Sequence, residues 1–154
     1  MSPSFLPRGD LTAHLLTTLA ADGVLVGDAE APIAGGWDDD PNAPTSSFVP
    51  YLVLNPMPVP DATGSIGDSA VDYRVPYSVT SVGISRNQTE FYADRGREKI
   101  VALERTSVTL GGGGWKIQQA RANSIGGMTR NDSVEPSQFV QSDVVTIWVS
   151  KEQI

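Results

Sequence analysis

Between Val75 and Leu103 the chain changes its hydrophobic period with no linker between the two patterns. VPYSVTSVGI, residues 75–84, alternates like a strand, with Val75, Tyr77 and Val79 on one face and Val82 and Ile84 on the other. Both faces are partly apolar, which predicts a strand inside its sheet. Three residues further on the period is helical, from about Gln88 to Leu103. Tyr92, Ala93, Gly96, Ile100 and Leu103 form one stripe, and Glu90, Asp94, Arg97 and Glu98 lie opposite. Gly96 in the middle of the stripe costs about 1 kcal/mol against alanine, and close approach to a neighbouring backbone is the expected compensation.

Such junctions often hold phosphates, because the first helical N–H groups are free and point outward. Here Asn87 stands where an N-cap belongs, and Glu90 can return a hydrogen bond as in a capping box. Both would occupy the groups a phosphate needs, and Glu90 adds a like charge. The junction is expected to be scaffold.

Upstream, Leu11, Leu15 and Leu19 share a helical stripe with Leu16 and Ala20 beside it; Asp10 is the expected cap and Asp22-Gly23 the stop. Val24-Leu25-Val26 reads as a short strand, followed by a long loop, Gly27 to Ser47, that carries Trp37 and the run Asp38-Asp39-Asp40. Val49 to Leu54 is a nearly continuous apolar strand ended by Pro56, Pro58 and Pro60, and Asp61 to Asp72 is a second loop. Gly111 to Gly114 reads as a flexible hairpin, Trp115 to Ile125 as a strand and Gly126 to Pro136 as a turn region. In the final strand, Gln138 to Ser150, Phe139, Val145, Ile147 and Val149 oppose Val140, Val144 and Trp148. Hairpins and long loops around two helices predict an α+β fold, a mostly antiparallel or mixed sheet with the helices on one face. At 154 residues, with no repeat and no linker, one domain is expected.

Cysteine is absent, so disulfides, thiolate metal sites and a cysteine nucleophile are excluded. No segment approaches the length of a membrane span, and the first residues resemble no signal peptide, so a soluble, unprocessed chain is expected. A net charge of −7 works against DNA affinity, which rests on clustered Lys and Arg. The glycine run is followed by Trp115 and not by Gly-Lys-Ser/Thr, so it is no phosphate loop. Asp38-Asp39-Asp40 lacks the alternating spacing of a calcium loop and reads as a solvated acidic loop. His14, the single histidine, lies within the first helix as a surface or boundary residue, away from any nucleophile. No enzyme, metal or cofactor is expected. Tryptophan is enriched where proteins meet proteins. Trp148, inside the last strand, is expected in the core; for Trp37 and Trp115 the core and a contact surface both stand open.

The chain resembles the tail terminator proteins of long-tailed bacteriophages, particularly those of actinobacterial hosts. The resemblance is carried by Asp22-Gly23, Gly36-Trp37, Pro50-Tyr51-Leu52-Val53-Leu54 with Pro56, and Val75 to Gly83 with Arg86, Gln88, Ala93-Asp94-Arg95 and Arg97. Arg130 to Phe139 continues it, and the run Gly111 to Gly114 departs from it. It implies an α+β subunit that closes a six-membered ring on the last ring of the tail tube, stops tube growth and offers a surface to the neck. Partners would be copies of itself, the tail tube protein and a head-closure or neck protein. The place would be the head-proximal end of the virion tail, after assembly in the host cytoplasm. Six copies at −7 each would carry about −42, an acidic channel through which DNA passes without sticking. Interface candidates are Trp37, Asp38, Asp39, Asp40, Asp68, Trp115, Arg121, Arg130 and Asp132. A head-closure protein is the nearest rival, and a small-molecule or carbohydrate-binding module stacking ligands on Trp37 and Trp115 is the alternative from another class.

Overall fold

The computed structural model describes residues 6–57, 72–134 and 136–152. In chain order the elements are α1 (Arg8–Ala20), a short 3-10 turn (Ala21–Gly23), β1 (Leu25–Asp28), β2 (Gly36–Trp37), β3 (Phe48–Val49), β4 (Tyr51–Pro56) and β5 (Asp72–Gly83). These are followed by α2 (Arg86–Val101), β6 (Ser107–Leu110), β7 (Gly113–Ser124), β8 (Thr129–Asn131) and β9 (Gln138–Lys151). The main sheet runs β1-β4-β5-β9-β7-β6, with β8 also paired to β9. Among the described residues β1 and β4 pair in parallel and the other pairs in this sheet are antiparallel. The fold is therefore α+β with a mixed sheet, and β5 lies inside it, between β4 and β9, as its two partly apolar faces predict.

Both helices lie on one face. Leu11, Leu15 and Leu19 of α1 are fully buried, each contributing roughly 1.5–3 kcal/mol by leaving water. They meet Leu52, Leu54, Val75, Tyr77, Val79, Val145, Ile147 and Val149 in one core cluster. Buried positions on α2 are Thr89, Ala93, Gly96 and Ile100, three of them small, which lets this helix lie close to the sheet. At Gly96 the approach is to side chains and not to backbone. An added Cβ would stand 3.4 Å from Leu52, 3.6 Å from Val79 and 3.8 Å from Leu19, ordinary contact distances. The helices are also tied together, since Lys99 Nζ donates to the Leu19 carbonyl at 2.9 Å and so caps the negative end of α1.

Several details depart from the sequence expectation. At the strand-to-helix junction the cap is Ser85 and not Asn87: its Oγ accepts from Gln88 N–H at 3.1 Å, and Gln88 Oε1 accepts from Ile84 N–H at 3.0 Å. The cap thus forms two residues early, with the Gln88 side chain returning its bond to the residue before the cap, and Glu90 instead pairs with Arg86 at 2.8 Å. Gly83 makes the turn possible, because a Cβ there would lie 2.7 Å from Thr89 Oγ1. Asp10 does not cap α1, which begins at Arg8 without a side-chain cap. Its carboxylate accepts from Gly111 N–H at 2.6 Å and anchors the turn between β6 and β7. The expected loop from Gly27 to Ser47 contains the strand β2, which pairs with β3, and β6 and β8 are further strands that periodicity does not reveal. Each is too short to show alternation. Pro58, Pro60 and the expected loop up to residue 71 lie outside the described residues.

Candidate functional site

The expected contact residues fall into separate places. Trp37 and the acidic run belong to the β2–β3 hairpin. Trp37 meets Phe48 edge-on at 5.5 Å between ring centroids, and Phe48 stacks on Tyr51 of β4 at 6.4 Å, so an aromatic chain fixes the hairpin to the sheet. Beyond Trp37 the loop is bound by its own carboxylates. Asp38 accepts from Ser47 N–H at 2.8 Å and from the Ser46 and Ser47 hydroxyls; Asp39 accepts from Asp40 N–H at 2.8 Å, and Asp40 from Asn42 N–H at 3.0 Å. The Ser47 N–H, followed by the two serine hydroxyls, holds the Asp38 carboxyl below its ordinary pKa. All three aspartates are exposed. The result is an acidic hairpin tip with a defined shape.

Trp148 is not in the core as expected, and Trp115, for which core and contact surface stood open, is. Trp115 is 1% exposed, packed in the core beside Tyr73 at 6.1 Å, and is no contact residue. Trp148 is half-buried on the sheet face that carries no helix, with the Arg74 guanidinium 4.3 Å from its ring centroid. The alternation of β9 already puts Trp148 opposite Val145, Ile147 and Val149. What alternation leaves open is which face the helices cover.

Around Trp148 two contiguous hollows, about 470 and 240 Å³, share Gln119 and Trp148 and form one trough. Arg74, Arg105, Lys116 and Arg121 line it, against Asp72. Arg121 is 67% exposed, with its Nε 3.8 Å from Glu104. The indole N–H of Trp148 is sealed from water and has no hydrogen-bond partner. Of the trough residues, the sequence marks Arg121 alone as a contact candidate, while Trp148 is expected in the core. Arg74, Lys116 and Gln119 are scattered over two strands that meet only through β9.

Arg130 and Asp132 lie together at β8, beside the start of β9. Their side chains pair at 2.7 Å, and Ser137 donates to Asp132 at 2.6 Å. The Ser137 hydroxyl first, and then the Arg130 charge, keep the Asp132 carboxyl below its ordinary pKa. Asp68 lies outside the described residues. His14 is half-buried on α1, a boundary position. Among the described residues no group of three or more His, Cys, Asp or Glu is placed to hold a metal, and no helix is long and apolar enough to cross a membrane. A further groove of about 650 Å³ runs along the outer flank of α2, with exposed Val101 and Ile125 on its rims and Asp94 and Glu98 beside them.

No family model matches the chain, and no curated protein matches it. Among solved structures, the chain is similar in fold to one from the virion of a native gene transfer agent particle. The alignment covers 93% of this chain and 96% of that one, with a TM-score of 0.56 and 16% identity. For a second solved structure the alignment covers 96% of this chain and 94% of that one, at 14% identity and a TM-score of 0.48.

Proposed function

We propose that the chain is a structural virion protein and, within that class, a ring-forming tail terminator that caps the tail tube, ends its polymerisation and offers a surface for joining the head. The observation that carries this reading is the fold likeness to the gene transfer agent virion chain, which extends over nearly the whole of both proteins. It agrees with the independent resemblance of Pro50 to Leu54, Val75 to Gly83 and Arg130 to Phe139 to tail terminators. The burial of Trp115 removes one of the two stacking platforms a carbohydrate-binding module would use.

A terminator works by shape. Its subunits close around an opening, and the net charge of −7 per copy keeps the passage weakly adhesive to DNA. The test is deletion of the gene in a particle-producing strain, followed by electron microscopy of the lysate. The expected result is tails of uncontrolled length that are not joined to heads, with recovery on complementation. Tails of normal length, joined to heads, would overturn the reading; tails of normal length that stay unjoined would shift it to a head-closure protein.

A further inference from the structure

The acidic hairpin and the cationic trough lie toward opposite edges of the same sheet. The hairpin is fixed to β4, next to the β1 edge, while most of the trough is built on β9 and β7, next to the β6 edge. Between β4 and β7 stand β5 and β9, three strand spacings or about 14 Å. Among the described residues no ion pair joins the two groups. Within one chain they are complementary and apart. That is the arrangement a head-to-tail contact requires, in which two different patches of identical subunits fit each other and the rotation closes a ring.

We propose that the Asp38-Asp39-Asp40 hairpin of one subunit seats in the Arg74–Trp148–Arg121 trough of the next. The inference rests on the ring reading above and names the contact that reading leaves open. Charge complementarity selects the occupant. Arg74, Arg105, Lys116 and Arg121 outnumber Asp72 and the nearby Glu104, so the trough is a positive site on a negative protein. Three consecutive aspartates are the densest acidic segment of the chain. Their loop is already ordered by hydrogen bonds from Ser46, Ser47 and Asn42, so little conformational freedom is lost on docking. The trough contributes shape as well as charge. Trp148 forms its floor under the Arg74 guanidinium, a flat surface for the incoming loop to pack on.

The chain has no cysteine, so an introduced pair reports the contact without background. The doubly substituted Asp39→Cys, Gln119→Cys chain is oxidised and run on a non-reducing denaturing gel. The wild type is sized in parallel by sedimentation velocity. The contact predicts a ladder of subunit multiples that collapses with reductant, whereas either single cysteine gives at most dimers. Charge reversal supplies a second measurement: Lys116→Glu with Arg121→Glu, and separately Asp39→Lys with Asp40→Lys, should each weaken assembly by at least about tenfold. Combining all four should restore it, which a misfolded variant cannot do. If the wild type forms rings, yet no ladder appears and neither reversal matters, the hairpin–trough contact is wrong and the ring stands. Rings that resist both reversals while the Lys116→Glu, Arg121→Glu variant loses salt-sensitive DNA retention would assign the trough to nucleic acid instead and overturn the proposal. A wild type that stays monomeric without any ladder removes the ring reading and this contact together.

Discussion

Arg97 of α2 donates to Asp143 of β9 at 2.6 Å, joining the helix layer to the sheet through a carboxylate that is 3% exposed. The pair sits where the sheet is interrupted. β7 leaves β9 after Ser124, β8 resumes the pairing at Thr129, and in the gap Asp143 Oδ1 accepts from Gly126 N–H at 3.0 Å and from Gln141 Nε2 at 3.2 Å. A side chain thus replaces a missing ladder partner. Arg97→Ala leaves a buried carboxylate with only neutral donors and should cost about 2–4 kcal/mol, below the upper range for buried pairs because those donors remain. Urea denaturation measures this; a loss under about 1 kcal/mol would mean that the arginine is not needed to balance the charge.

Gly96→Ala should be tolerated and should stabilise by up to about 1 kcal/mol. The added methyl would find Leu52, Val79 and Leu19 at contact distance, with no backbone in its way. Gly96→Leu should destabilise, since the pocket has room for one carbon and not for four. Thermal melts of the two variants should move in opposite directions.

Ser85→Ala should lower stability by about 1 kcal/mol through loss of the N-cap bond to Gln88, while Asn87→Ala should change it by only a few tenths. Equal effects from the two substitutions would place the helix start elsewhere.

Tyr77 gives the core a limit at alkaline pH. Burial pushes its phenol up from the ordinary value of 10.0, while Thr12, at 2.9 Å from its hydroxyl, and Arg8 act in the opposite direction. A group whose pKa is raised by folding favours the protonated folded state. Its contribution is therefore fully present below pH 10 and is lost as the pH rises from there through the folded-state pKa. Chemical denaturation above neutrality should show a decline beginning near pH 10 that is shallower in Tyr77→Phe. An identical profile in the variant would remove Tyr77 from the account.

Trp148→Ala should leave the fold intact and remove the stacking surface for Arg74, whereas Trp115→Ala should cost about 3–5 kcal/mol as a large cavity in the core. Circular dichroism melts compare the two directly. A larger loss at Trp148 than at Trp115 would contradict the assignment of the two faces.

Local pattern alone determined the elements whose period is long enough to be unambiguous. The leucine stripe of α1, the alternation of β5 and β9 and the switch from period two to a helix after Ile84 all follow from side-chain geometry along one segment, which no distant residue needs to confirm. Tertiary structure decided everything that depends on two segments meeting. Alternation sorts Trp115 and Trp148 into faces but cannot say which face receives the helices. In β7, moreover, a bulge between Ile117 and Gln119 reverses the parity, so that Trp115, Ile117, Ala120 and Ala122 all turn toward one core. Ser85 won the cap from Asn87 because Gly83 lets the chain turn against Thr89 two residues sooner than composition suggests. The Arg97–Asp143 pair, the Trp37–Phe48 hairpin and the trough around Trp148 join positions far apart in the chain, and their energies exist only once the sheet order has brought those positions together.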